Sequence, residues 1–384
     1  NYGKVYIKGT SSGGNAANVG NGVTAEVCAG GVVAQIGPSG DGSQFSLSNC
    51  HNYGELDFNT WMASGNGTGY NHGGVAGYCK VSMSDCSNHG KMTVVSKGSY
   101  NYTGGVVGQA VYAGNSLKNH GDLNFTFKKT TSGSNQIKNN LHVGGVIGRC
   151  SGVNKAMNLS NEAGTMTVTA VSVDGIAALP YVAGVVGYYE GSATMEDCTN
   201  MASIEFTSPR QTGQMYLGGI LGRSTDAKRT YLRLKNYGSI NATVLTSSNG
   251  SFNYIGGVAG TDKQNQTYSY CENHGNIGFE GVMKMRIGGI AAYMNQTANN
   301  SIVKADITAK CTNNNYSEIG GVVAYTAATS LNDWTYEGSI DTSESSAKVY
   351  TGGLLGKSNG KSNFNGCSFK GEIKTAEGNN APGL

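Results

Sequence analysis

The chain has 384 residues, of which 60 are Gly, 22 Tyr and only 4 Pro; 38% are apolar, 13% charged, and the formal net charge is +3. Lys and Arg are scattered, so the basic stripe of a nucleic-acid interface is missing, and no apolar run approaches the ~20 residues of a membrane-spanning helix. Such abundance of Gly, Asn, Ser and Thr indicates short strands and tight turns rather than helices.

In chain order, the sequence opens on "NYG", with Asn1, Tyr2 and Gly3 already inside a motif that recurs downstream. The expectation is a mature fragment of a longer chain. A glycine doublet follows in "AGGVVAQIG" at 29, and then the motif returns as "SNCHNYGELDF" at 48. The two alternate to the end. The doublet recurs near Gly73, Gly104, Gly144, Ala183, Gly218, Gly256, Gly288, Gly320 and Gly352, after the first at Gly30, with intervals of 31 to 43 residues. The motif recurs in "SDCSNHGKMTV", "SLKNHGDLNF", "RLKNYGSINA", "SYCENHGNIGF" and "NGCSFKGEIK". A period near 36 denotes a solenoid, a propeller or an array. Its last three intervals, 32 residues each, are too short for four-stranded propeller blades.

From each doublet to the next motif Gly the chain takes 17 to 24 residues; the return takes 13 to 27. Nearly constant spacing on one side and insertions on the other fit stacked coils with loops along one edge. Each repeat reads as three short strands, as in "GGVVG", "LSNC" and "ELDF". The expected fold is an all-β parallel β-solenoid, a β-helix of about ten right-handed coils, forming one repeat domain over residues 1–384.

Alignment on the motif Gly exposes two ladders. Four residues before it stand Cys50, Cys86, Leu117, Cys198, Leu234, Cys271, Trp334 and Cys367, an apolar core column in which Cys acts as a small hydrophobe. Two residues before it stand Asn52, Asn88, Asn119, Asn200, Asn236 and Asn273, amides positioned to hydrogen-bond along the axis. In the last two coils that column becomes Tyr336 and Phe369. The motif Gly is expected to provide the positive φ of a corner, and the doublet a close backbone approach.

No catalytic, metal or cofactor set emerges. There is no C-x-x-C. His89 and His120 share a corner and could share a metal, but stacking fits better because no acidic residue or Cys joins them in the motif register. Asp85, Asp197 and Asp333 share a register but lie several coils apart, beyond the reach of paired glycosidase carboxylates. "GGLLGKS" has Thr351 where a phosphate loop needs its first Gly. The expected functional surface is therefore the variable edge. Residues 59–72 bring Trp61, Tyr70 and His72, and residues 128–142 bring Lys128 and Lys129. Aromatic side chains among amides suit sugar rings.

The "GGVVG", "GGVIG" and "GGLLG" cores, together with "DCTN" and "NCHNYG", resemble the GLUG-repeat proteins of bacterial surfaces, especially large secreted or lipid-anchored proteins of the Bacteroidales. The resemblance covers almost the whole chain and implies a non-enzymatic, adhesin-like segment at the cell surface or outside the cell. It carries over no catalytic residue. Expected partners are a glycan or a host or partner protein, with neighbouring repeats or sister subunits at the ends. Neither nucleic acid nor a membrane span is expected. Alternative roles are a filament subunit without a ligand, or a scaffold beside a protease or polysaccharide-degrading domain.

Overall fold

The computed structural model describes residues 1–11, 26–37, 44–62, 69–97, 100–112, 114–128, 139–151, 156–171, 178–191, 194–211, 213–225, 228–247, 250–261, 266–296, 298–312, 316–327 and 329–376, without the side chains of 8–11, 26, 61–62, 139, 178 and 329. The chain winds as a parallel β-solenoid, and no helix occurs among the described residues.

One coil displays the plan. Ala76–Cys79 forms face I, Ser82–Ser84 face II, Ser87–Asn88 face III, Met92–Lys97 face IV and Tyr100–Gly104 face V. Each strand pairs in parallel with its counterpart one coil on, as in Ser87 with Lys118, Met92 with Leu123 and Tyr100 with Asn140. Faces III and V are ten strands deep and face IV eleven. Face I is a run of six strands and one of three, joined through a bridge at Ala259; face II joins two strands to seven through Asn115. A coil thus has five strands where the sequence suggested three. The two-residue strands of face III are too short to carry an alternation, and "GGVVG" conceals a corner between faces V and I.

Period-two alternation sorts the side chains of face IV. Met92, Val94 and Ser96 point inward, while Thr93, Val95 and Lys97 face out. The second inward column reads Phe58, Val94, Phe125, Val168, Phe206, Ala242, Phe279 and Ala309, all buried. A ring at every other level leaves space for its neighbours at the ~4.8 Å strand spacing. Alternating large and small residues therefore fills the interior in register.

The corner before face III turns through a left-handed residue in every coil: Asn49, Asp85, Ser116, Asn158, Asp197, Arg233, Tyr270, Asn300, Asp333 and Gly366 have φ of 49° to 60°. Asn and Asp tolerate this region better than other side chains. The register-sharing Asp85, Asp197 and Asp333 therefore stand at turns. The motif glycines serve differently from expectation, because they are absent from the positive-φ residues. A Cβ on Gly90 would sit 1.9 Å from the Gly54 carbonyl oxygen, and one on Gly121 2.0 Å from that of Gly90. Close stacking of corner on corner is what requires glycine there.

Insertions also differ from expectation, since both the IV-to-V and the I-to-II connections vary. The latter ranges from two residues (80–81) to nine (37–45).

Candidate functional site

Both ladders face the interior. Asn1 Nδ2 donates to Asn52 Oδ1 at 3.0 Å, and the chain of amides continues through Asn88, Asn119, Asn161, Asn200, Asn236 and Asn273 at 2.7 to 3.2 Å. The second amide hydrogen of Asn52, Asn88, Asn119, Asn200 and Asn236 goes to a carbonyl two residues on. Asn1 and Asn161 thus extend the column seen in the sequence. It stops at Asn273 Nδ2, which has no partner among the described residues, since the next level presents Val303. Tyr336 and Phe369 stack beyond it at 5.6 Å.

The Cys column is packed as expected, with Cys86, Cys198 and Cys271 buried and Cys50 and Cys367 partly covered near the ends. These five column cysteines are free thiols. Burial pushes the Cys86 thiol up to about 11 and those of Cys198 and Cys271 up to about 12. Few thiolates form at neutral pH, so these sulfurs are poor nucleophiles.

The expected loop contacts are placed differently. Trp61 and Met62 end a face IV strand, pairing with Thr10 and Ser11, and the Trp61 side chain lies outside the described residues. Tyr70 and His72 are corrections to the loop reading: both belong to a face V strand and are buried. His72 sits between Thr60 Oγ1 at 3.0 Å and Thr103 Oγ1 at 3.2 Å, and burial lowers its pKa to about 3. Burial raises that of Tyr70 to about 12. Gly69 to Gly73 lies against two coils, so alternation carries these side chains inward or under neighbours. Lys128 is exposed at the end of a face IV strand, and Lys129 lies outside the described residues.

A different surface draws functional side chains together. The second doublet glycine packs directly on the ladder: a Cβ on Gly74 would meet Asn88 Cβ at 2.6 Å, and one on Gly105 the Asn119 amide carbon at 2.7 Å. The wall is pinched inward along the doublets, and outside the pinch is a gutter running along the rod. Side chains two residues before the doublet line one bank, among them Tyr102, His142, Tyr181, Tyr216, Tyr254, Arg286 and Glu318, in continuous register. Face I supplies the other bank with Tyr78, Gln109, Arg149, Tyr188, Arg223, Tyr293, Tyr325 and Lys357.

The banks touch across the pinch. Arg149 lies over the Tyr102 ring at 5.1 Å and grips Glu190 with two bonds of 3.0 and 2.9 Å. Arg223 covers Tyr216 at 4.5 Å and donates to the Tyr181 hydroxyl at 2.8 Å. Arg286 covers Tyr325 at 3.7 Å and pairs with buried Glu318 at 2.6 Å, which Lys357 reaches at 3.4 Å. Tyr216 and Tyr254 stack at 5.0 Å. His142 is enclosed by Tyr102, Tyr181 and Tyr188, and neither ring nitrogen has a hydrogen-bond partner among the described residues. Burial, with positive Arg149 and Arg223 nearby, holds its pKa well below the usual value. Sequence reading missed this gutter, although Tyr stands two residues before the doublet at Tyr102, Tyr181, Tyr216, Tyr254 and Tyr350.

Two smaller hollows are present. One of about 410 Å³ is lined by His51, Tyr53, Asp85, Cys86, Ser87, His89, Ser116, Lys118 and His120. Tyr2, Tyr53, His89 and His120 stack there at 5.0, 4.5 and 4.4 Å, as expected for the corner histidines. Contrary to expectation, an acid joins the register, because Glu162 lies 3.2 Å from His120 Nδ1. Ser87 Oγ is held between His51 Nδ1 at 2.7 Å and His89 Nε2 at 2.8 Å, with Asn49 Oδ1 2.9 Å from His51 Nε2. Ser87 is 7% exposed. The other hollow, about 300 Å³, forms on face IV where Gly278 interrupts a column of side chains. Among the described residues no three His, Cys, Asp or Glu are placed to hold a metal. Comparison with protein-family models, with curated proteins and with solved structures gives no match.

Proposed function

We propose that this chain is a structural and adhesive repeat segment of a large extracellular bacterial surface protein, with the solenoid as its shaft and the Tyr–Arg gutter as its contact surface. The observation that carries the reading is the gutter itself. Aromatic rings and guanidinium groups, enriched at recognition surfaces, run in register along the rod instead of being scattered over it. Both length-variable connections flank it, one before face V and one after face I. Loops at the rim of a rigid surface are where specificity varies most readily.

The shaft is supported by parallel pairing at every level and by the continuous amide column. Buried, high-pKa thiols suit a chain exposed to oxidants outside the cell. The GLUG-like "GGVVG" and "NCHNYG" segments favour the same location. The partner is a glycan or a host or partner protein, and the role is non-enzymatic.

The test is binding of the full chain to an array of glycans and extracellular matrix proteins, repeated with Tyr188→Ala. A partner lost in the variant supports the reading. An array with no partner for a correctly folded chain, or binding indifferent to the gutter, overturns it.

A further inference from the structure

Resting on that reading, we infer that the gutter recognises a carboxylated polysaccharide, gripping its acid groups with the ammonium groups of Lys284 and Lys348 and its hydroxyls with tyrosine edges. The gutter already binds two carboxylates of its own chain. Arg149 Nη2 donates to both oxygens of Glu190, while Arg286 Nε and the Lys357 ammonium each take one oxygen of Glu318. Charge-assisted bonds to both oxygens distinguish a carboxylate from a neutral group.

Cations nevertheless exceed acids. Lys284 precedes Arg286 on the same bank and lies 3.9 Å from the Phe252 ring centre and 4.3 Å from that of Tyr316. Lys348 lies 4.9 Å from the Tyr350 ring centre. The ion pairs of the gutter among the described residues engage Arg149, Arg286 and Lys357, but neither Lys284 nor Lys348. These two ammonium groups are partly or fully exposed, and their charge complements an anionic chain.

Ring geometry separates a glycan from a single-stranded nucleic acid. Base binding needs open aromatic faces. Here the faces are occupied: Tyr216 by Tyr254 and Arg223, Tyr325 by Arg286, and Tyr316 by Lys284 and Lys357. Tyr181, Tyr216 and Tyr254 are themselves buried, and what remains at the surface is the half-buried Tyr188, Tyr316, Tyr325 and Tyr350 with the two lysines, on levels ~4.8 Å apart. This suits a polymer that repeats an acid and several hydroxyls along its length.

The experiment measures binding of the full chain to polygalacturonate, to its methyl ester and to oligo-dT at two salt concentrations. The expected result is binding to polygalacturonate that weakens with salt, at least tenfold weaker binding to the ester, and about tenfold loss in the Lys284→Gln/Lys348→Gln double variant. Equal binding to acid and ester overturns the carboxylate assignment while leaving the adhesive reading standing. Preference for oligo-dT, or no binding to either form of the polymer, overturns the assignment outright. Both lysines sit on the outer surface, so the double variant should fold, and an unchanged circular dichroism melt confirms that a loss is one of binding.

Discussion

The solenoid carries two ladders that share one corner of the chain but obey opposite rules. On the inside, the asparagine column repeats one residue type, and from Asn52 to Asn236 each amide donates to the next level. On the outside, the gutter mixes residue types, from Tyr102 to His142, through Tyr181, Tyr216 and Tyr254, and on to Arg286 and Glu318. Among the described residues it also leaves buried polar atoms unmet, including Asn71 Oδ1, Gln109 Oε1 and both nitrogens of His142. A ladder built to hold a stack is uniform and saturated, since each buried amide left unpaired costs about 1–3 kcal/mol. A ladder that varies while keeping its position is organised around something other than the stack.

The largest effect should come from breaking the inner ladder. Asn119→Ala removes the acceptor of Asn88, the donor of Asn161 and the amide bound to the Gly121 carbonyl. Chemical denaturation should show a loss of about 3 kcal/mol, and a loss below about 1 kcal/mol would mean the amides do not act as a unit.

Acid should act next. His72 is held neutral in the fold, with its pKa near 3, while the unfolded chain binds a proton near pH 6.5. The unfolded state therefore takes up more protons as pH falls. Stability present above pH 6.5 should decline through the window down to pH 3, by about 2 kcal/mol at pH 5 from this residue alone. His142 acts in the same direction. A denaturation series from pH 7 to 5 that stays flat contradicts the buried placement of both rings.

Smaller gains are expected where the structure departs from its own rules. Tyr270, at φ 53° and largely exposed, should yield about 1 kcal/mol on replacement by Gly. Val303→Asn offers a partner to Asn273 Nδ2 and should raise stability by up to about 1 kcal/mol. A destabilised Val303→Asn would show that packing against Gly289 outweighs the added bond.

Much of the inner architecture was legible in the sequence. The doublets and the Asn-x-Gly motif mark opposite sides of one pinch, and their spacing revealed the coil. Asn161 escaped because Gly164 shifts the count by one, whereas Asn1, two residues before Gly3, stands in the same register as the rest of the column. The left-handed corner was hidden, since Asn49, Ser116, Arg233 and Tyr270 share a backbone angle and no side-chain property. Tyr70 and His72 looked like loop residues because a pattern of polar and aromatic letters does not reveal strand alternation under a neighbouring coil. The gutter was obscured by chemical variety, which is also what makes it a candidate for recognition.

The most direct test sets the two ladders against each other in one experiment, comparing Asn119→Ala with Lys284→Gln/Lys348→Gln for unfolding free energy and for polygalacturonate binding at a temperature where both are folded. The account predicts a loss of about 3 kcal/mol with binding retained in the first, and a change within about 0.5 kcal/mol with binding lost in the second. Equal losses of stability, or binding that follows the asparagine instead of the lysines, would contradict it.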